Sequence, residues 1–437
     1  MNKNINIAVI GLGQIGSYVL NELNTKKKDI ETKTGKRIKV IAISAKNKNK
    51  KRKFKINKKI FYSNPLDILK IKNLDIVIEA IGLSDGISKK IIETALKNKI
   101  HVITPNKALI SKHGDKLGDL AEKNKVNLEF EASVAGGIPI IRTIKEGLAT
   151  NKITKVYGIL NGTCNYIMSE MERTKDSFKN VLKMAQKLGY AEPGNPKLDL
   201  NGYDALAKIK ILTSLAFNKK ISKSECLMEG IENIDYADIK IADQLDFRIK
   251  LLGITEIINN SIFERVHPCL VKKDSYIGNV DGVMNAVILN GSPIGESVLQ
   301  GEGAGPGPTS SALMSDLLSI LRGNIKYPFG ISKNKRLKPK IFNKDQSSNS
   351  LYLRLEVKDK PGVLSSITKI LAKYKISIQR LIQIPDNKSK TASIVLITHN
   401  SNELDAQRCI KSFKSNKNII KNPVLFDYFN GTLYKII

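Results

Sequence analysis

The tightest constraint on this chain lies near its amino end, where AVIGLGQIG sets Gly11, Gly13 and Gly16 in GxGxxG spacing between an apolar strand and a helical run. Gly11 permits the tight turn, Gly13 lets backbone approach a pyrophosphate, and Gly16 allows strand and helix to pack closely, with the anion on the helix N-terminus. The loop Gly11, Leu12, Gly13, Gln14, Ile15, Gly16 is therefore expected to hold a dinucleotide; the plainer alternative is a tight strand-to-helix turn. Around it, INIAVIG, IKVIAISA, LDIVIEAIG, IHVITPN and VNLEFEAS alternate with helical stretches. That alternation implies a parallel sheet with right-handed crossovers, an α/β Rossmann-type domain over residues 1–131.

The end of the second strand bears on which dinucleotide is bound. An NAD site usually places Asp or Glu there for the ribose hydroxyls. Here the strand runs into AKNKNKKRKFKINKK, with Ala45 and Lys46 at the acid's position. A carboxylate would repel a 2′-phosphate and Lys46 would attract it, so NADP(H) is expected over NAD(H). Most of the basic run reads equally well as a solvated loop.

Residues 132–327 open with VAGGIP and mix strands such as ITKVYGIL with helices such as SFKNVLKMAQKLG, as an α+β substrate and dimerisation domain would. About 300–327 is expected to return and complete the first domain. Residues 328–349 are polar, lysine-rich and aperiodic, and read as a linker. From 350 to 437 the order is βαββαβ, a ferredoxin-like module whose last strand is placed at GTLYKII.

Charge raises a competing class. A net charge of +31 on 437 residues could mean nucleic acid. The excess is almost all Lys, dispersed among Ile and Asn, and there is no Trp to stack on bases. Lys lacks the planar fork of Arg, so no specific nucleic-acid partner is expected. No apolar run is long enough to span a bilayer, and a strand begins at once, leaving no room for a signal peptide. Four dispersed cysteines fit reduced thiols in a cytoplasm, and four dispersed histidines suggest no metal cluster.

The chemistry-bearing stretch is YAEPGNPKLDLNGYDALAKIKIL, Tyr190 to Leu212. In a helix Asp204 and Lys208 are i and i+4 and share a face, beside the core-directed Ala205, Ile209 and Leu212. A partly buried lysine held by a carboxylate can pass a proton to an alkoxide. Glu192, in a Pro/Gly loop, could take an ammonium, and Asp199 could cap or reach back. An ordinary surface ion pair is the competing explanation.

With these residues in view, the chain resembles homoserine dehydrogenase over nearly its whole length. The resemblance is carried in order by GLGQIG, TPNKAL, EASVAGGIPII, LNGTCNYI, GYAEP through DLNGYDALAKIKIL, ERVHPCLV, GNVDGVMNAV and GEGAGPGPTSSA. KDKPGVLSSITKILAKYKISI resembles an ACT module, and with no kinase ahead of the first strand the monofunctional form is expected. The resemblance implies reversible reduction of aspartate 4-semialdehyde to homoserine by NAD(P)H, on the branch to threonine and methionine. It implies Lys208 as proton donor, Asp204 as its orienter, Lys107 between cofactor and reacting oxygen, and Glu192 and Asp199 as substrate acids. Thr163 would line the same pocket or simply cap its helix, and Gly303 and Gly305 would return the chain to the nicotinamide. Glu131 with the carbonyls of Val134, Gly136 and Ile138 resembles a sodium loop, or a plain tight loop. The ACT module implies feedback by threonine and a homo-oligomer, dimer or tetramer. One residue appears inserted between Glu192 and Asp199 relative to the family's spacing. The alternative from another class is an inactive amino-acid sensor that keeps the cofactor fold.

Overall fold

The computed structural model describes residues 4–323, 327–343, 347–386 and 389–429. Its amino-terminal part includes β1 (Ile5–Ile10), α1 (Gln14–Thr25), β2 (Ile38–Ser44), β3 (Phe61–Tyr62), β4 (Ile76–Glu79), β5 (His101–Ile103), α2 (Lys107–Asn124) and β6 (Leu128–Glu129). The six strands are parallel in the order β3-β2-β1-β4-β5-β6. Strand order reverses between β1 and β4, and ligands of such sheets bind in the crevice beyond the strand ends there. The expected Rossmann-type sheet is present, with GLGQIG at that switch point. A Cβ on Gly16 would lie 1.7 Å from the Gly11 carbonyl oxygen, so α1 meets the turn more closely than any other side chain permits.

The chain then leaves this layer for β7 (Lys152–Ile159), α3 (Gly162–Thr174), α4 (Tyr203–Ala216), β8 (Leu227–Met228), α5 (Tyr236–Gln244), β9 (Phe247–Ile258), β10 (Ser261–Lys272), β11 (Met284–Ser292) and β12 (Gly295–Glu302). It returns as α6 (Pro306–Leu321), whose Leu313 and Leu317 close a buried cluster with Val19, Leu20 and Leu23 of α1. The outgoing and returning passes run side by side, with Gly137 N donating to Glu302 O at 3.0 Å.

The last part comprises β13 (Leu351–Lys358), α7 (Val363–Lys373), β14 (Ile378–Asp386), β15 (Thr391–Thr398), α8 (Glu403–Lys414) and β16 (Val424–Phe429). This is the expected βαββαβ order. The stretch GTLYKII lies at 431–437, outside the described residues, and β16 supplies the final strand. The module does not stand apart. β16 pairs in parallel with β10, giving one sheet in the order β12-β11-β7-β9-β10-β16-β13-β15-β14. The polar stretch read as a linker is also docked. Phe329 is buried against Phe130, with ring centroids 5.2 Å apart. Arg336 lies 3.9 Å over the Phe329 ring and bonds Asp115 of α2 and Ser214 of α4, each at 2.7 Å.

Candidate active site

Two structures meet here, a cleft built from backbone and a cluster built from side chains. The cleft, about 920 Å³, is lined by Gly11, Leu12, Gly13, Ala45, Lys46, Arg52, Ala80 and Leu83 among others. Lys46 is exposed at its rim. Arg52, unremarked within the basic run, is the better-built cation. Its guanidinium donates to the carbonyls of Leu12 at 3.2 Å, Asn47 at 2.6 Å and Lys50 at 2.9 Å, so it is fixed beside the glycine loop. Phe54 anchors the same loop edge-on to Tyr18 of α1.

Glu79, fully buried at the end of β4, organises the opposite wall. It accepts from Ile81 N and Ser88 Oγ at 2.9 Å each and from Thr104 Oγ1 at 2.7 Å. Asn106 then donates to the carbonyl of Leu83 in the cleft wall at 2.8 Å and caps α2 through Leu109 N. Lys107 is the first residue of that helix, so the cofactor wall and this lysine are tied together.

The lysine's neighbour is the cluster on α4. Lys107 Nζ lies 2.7 Å from Asp204 Oδ1, and Lys208 Nζ lies 2.8 Å from Asp204 Oδ2. Lys208 also donates to the Leu160 carbonyl. Asp204 and Lys208 are buried, at 8% and 6% exposure, which removes the surface ion pair as their description. Asn161 completes the cluster, its amide reaching Asp199 Oδ1 and Asp204 Oδ2 at 2.9 Å each.

Three helices point their N-termini at this place: α2 with Lys107, α3 capped by Asn161, and α4 with Asp204 in its first turn. Helix N-termini carry partial positive charge, which favours anions and developing negative charge. Lys107 sits unfavourably at such an end, and Asp204 offsets it.

The titration tendencies follow. Burial works to raise the Asp204 pKa, but Lys208 and Lys107 overcome it and hold the carboxyl well below the usual range. Burial lowers Lys208, and Lys107 adds to this, while Asp204 opposes. For Lys107 burial also lowers, but Asp204 outweighs it and the net direction is up. Burial and the Asp204 charge raise Asp199. The cluster thus raises the proton affinity of one lysine and lowers that of the other.

Other expected residues fall less centrally. Glu192 is exposed on its loop, and only its carbonyl is engaged, accepting from Gln186 at 3.1 Å. Thr163 spends its hydroxyl on the Tyr190 carbonyl at 2.7 Å, so it ties α3 to the Glu192 loop. Thr163 is not the helix cap, because Asn161 holds that place, accepting from Cys164 N at 2.8 Å. Gly303 is buried against Asn285, whose amide nitrogen would lie 2.1 Å from any Cβ there. In the sodium-type loop, both Glu131 oxygens accept backbone N–H groups, from Ile141 and Arg142 at 2.8 Å each. The Ile138 carbonyl accepts from Ile140, and burial raises the Glu131 carboxyl to about 7. Val134 is buried, and Gly136 has φ +50° with its Cβ site 2.5 Å from the Gly303 carbonyl. Asn161, Arg52 and Glu79 were missed in the sequence. Only Asn161 carried a local signal, an Asn ahead of a helix.

A phosphate-binding crevice at a topological switch point, joined to a buried lysine–carboxylate cluster, defines an NAD(P)-dependent oxidoreductase. Comparison with known proteins agrees. Residues 11–131 match the family model for the homoserine dehydrogenase NAD-binding domain, 139–318 that for homoserine dehydrogenase, and 351–416 that for the ACT domain. The chain is 38% identical to homoserine dehydrogenase of Neisseria gonorrhoeae over 94% of its own length and 96% of the other. It is likewise 38% identical to that of Helicobacter pylori, over 97% and 98%. The crystal structure of a homoserine dehydrogenase from Thiobacillus denitrificans superposes with TM-score 0.89 at 34% identity, covering 98% of both chains. The chain belongs to the homoserine dehydrogenase family, and nothing in these matches supports the inactive-sensor alternative. No described helix is long and apolar enough to cross a membrane.

Proposed function

We propose that this oxidoreductase interconverts aspartate 4-semialdehyde and homoserine with Lys208 moving the proton and NADP(H) as the preferred cofactor. The observation that carries it is the Lys107–Asp204–Lys208 chain of contacts at the meeting point of three helix N-termini. The cofactor, when bound, supplies or accepts the hydride. The chain's own task is to neutralise charge on the aldehyde oxygen as it forms. Lys208, with its lowered proton affinity, donates to that oxygen in reduction and takes the proton back in oxidation. Lys107, half-exposed beside Asp204, holds the oxygen and returns to Asp204 after turnover. Asp199 and Asp204, bridged by the Asn161 amide, face the substrate ammonium. Glu192 joins them once its loop folds over substrate.

Arg52 and Lys46 support a 2′-phosphate in the cleft, since among the described residues none of those lining it is a carboxylate that would repel one. A sodium ion on the carbonyls of Val134, Gly136 and Ile138 would be structural and would draw the Glu131 carboxyl back down. The ACT module is read as a threonine sensor. The exposed Leu381 and Ile384 on edge strand β14 support a homo-oligomer, dimer or tetramer. The free thiols of Cys164, Cys226, Cys269 and Cys409 suit a reducing cytoplasm.

The test is homoserine-dependent reduction of NADP⁺, followed by absorbance of the reduced nicotinamide, in the wild type beside Lys208→Ala. Loss of turnover with retained NADP⁺ binding is expected. A Lys208→Ala enzyme as fast as wild type would remove this lysine from the chemistry.

A further inference from the structure

The outer edge of β10 is shared by two segments that meet end to end. Its first half pairs with β8, Arg265 opposite Leu227 and Val266 opposite Met228. Its second half pairs with β16 of the ACT module, beginning with Cys269 opposite Asp427. The buried Arg265 guanidinium binds the Asp427 carboxylate across this junction and stacks 4.4 Å over Phe263. Asn349 donates to the same carboxylate at 3.2 Å, and His267 Nε2 lies 3.5 Å from it.

From β10 the contacts lead directly to the substrate acids. Val266 O accepts from Glu229 N at 2.8 Å, and two residues on Ile231 N donates to Leu200 O at 3.0 Å. Gly230 presses on the same place: a Cβ there would sit 2.0 Å from Leu200 O and 2.6 Å from Asn201 Cα. Gly202, at φ +85°, has its Cβ site 3.0 Å from Val266 Cγ1 and closes the short turn between Asp199 and Asp204 through Gly202 N to Asp199 O at 3.0 Å. The turn bearing both acids therefore rests on the 229–231 segment, which rests on β10 beside the module's last strand. A side chain at Gly230 would clash with Leu200, and Gly202 lies close against Val266, so β10, the 229–231 segment and the turn bearing the acids are closely packed.

We propose that the ACT module acts on substrate binding through this shared strand edge, with Asp427 as its latch and Arg265 as a positioning residue for Asp199 and Asp204. This rests on the reading of those two carboxylates as substrate-binding groups. A second buried ion pair of the module is a control: Arg354 of β13, the strand next to β16, binds Asp238 of α5 at 2.6 Å and so engages α5 rather than β10.

The experiment uses the full chain and measures KM for homoserine, KM for NADP⁺ and kcat in Asp427→Asn, Arg265→Met, Arg265→Lys, Gly230→Ala and Arg354→Met, with Asp204→Asn as reference. Asp427→Asn, Arg265→Met and Gly230→Ala are expected to raise the homoserine KM about tenfold and leave the NADP⁺ KM within about twofold, because only the acids' positions change. Arg265→Lys, which keeps the charge, should fall between. Arg354→Met should lower thermal stability without raising the homoserine KM. If Arg265→Met does not fold, Asp427→Asn and Arg265→Lys carry the same test. An unchanged homoserine KM in those variants would overturn the proposal, as would an equal rise in Arg354→Met or in both KM values. Where Asp204→Asn raises the homoserine KM and the edge variants do not, the latch fails and the site reading stands. Should Asp204→Asn leave it unchanged, the site reading is what fails.

Discussion

The cofactor cleft and the substrate cluster solve opposite problems with opposite materials. The cleft is made of backbone: glycines that bring chain against chain, the start of α1, and a guanidinium held by carbonyls. The cluster is made of side chains from three helices, with Asp204 and Lys208 buried and Lys107 half-exposed, their charges mutually neutralised. A pyrophosphate is the same in every dinucleotide, so it can be met by a fixed backbone nest. A proton that must move needs groups whose affinities differ, and only side chains in unequal surroundings supply that difference.

That contrast can be broken at the cluster first. Lys208→Ala should lower kcat by about 10²- to 10⁴-fold, the range of a positioned proton donor, with NADP⁺ affinity measured by fluorescence unchanged. Asn161→Ala comes next. It leaves Asp199 and Asp204 without their common donor, and stranding such buried groups costs about 1–3 kcal/mol. Kinetics should show kcat/KM for homoserine down roughly ten- to hundredfold with the NADP⁺ KM little changed. At the cleft the pattern should invert. Gly16→Ala pushes a methyl into the Gly11 carbonyl; calorimetry should show a melting loss worth about 1–3 kcal/mol together with weakened NADP⁺ binding. Arg52→Ala should raise the NADP⁺ KM about tenfold while NAD⁺ kinetics stay put, since only a 2′-phosphate feels that charge. A parallel rise for NAD⁺ would make Arg52 a scaffold for the glycine loop instead.

The smallest effect is a displaced pH profile. Under the proposed role of Lys208, homoserine oxidation needs this lysine without its proton, so the rate is expected to rise with pH, with a midpoint below the ordinary lysine value. Asp204 raises that proton affinity and Lys107 lowers it. Measured on the residual rates, Asp204→Asn should move the midpoint down and Lys107→Met should move it up.

What could be read in the sequence follows the same division. Gly11, Gly13 and Gly16 act within one turn, so their spacing discloses their role. Asp204 and Lys208 share a helical face, and i,i+4 spacing revealed the pair but not its burial. That burial depends on Leu160 and Asn161, 48 and 43 residues earlier in the chain. Arg52 was hidden because its distinction is geometric, four carbonyls around one guanidinium in a run where every neighbour is also basic. The linker's docking through Phe329 and Arg336 was hidden as well, for lack of any period in a segment that packs by single residues. The strand order βαββαβ was legible, whereas the pairing of β16 with β10 was not, since a parallel pair formed across 150 or more residues leaves no mark on either strand.

The return of α6 to α1 sets an order on events at the ribosome. All six strands of the first sheet are synthesised by Glu129, yet Val19, Leu20 and Leu23 lack the cover of Leu313 and Leu317 until α6 arrives. That delay is roughly 190 residues of synthesis, about 10–40 s at 5–20 residues per second. A nascent chain of this protein therefore carries an open apolar face through the making of its entire substrate domain. Chaperone occupancy should be densest over that interval and fall once residue 321 clears the exit tunnel.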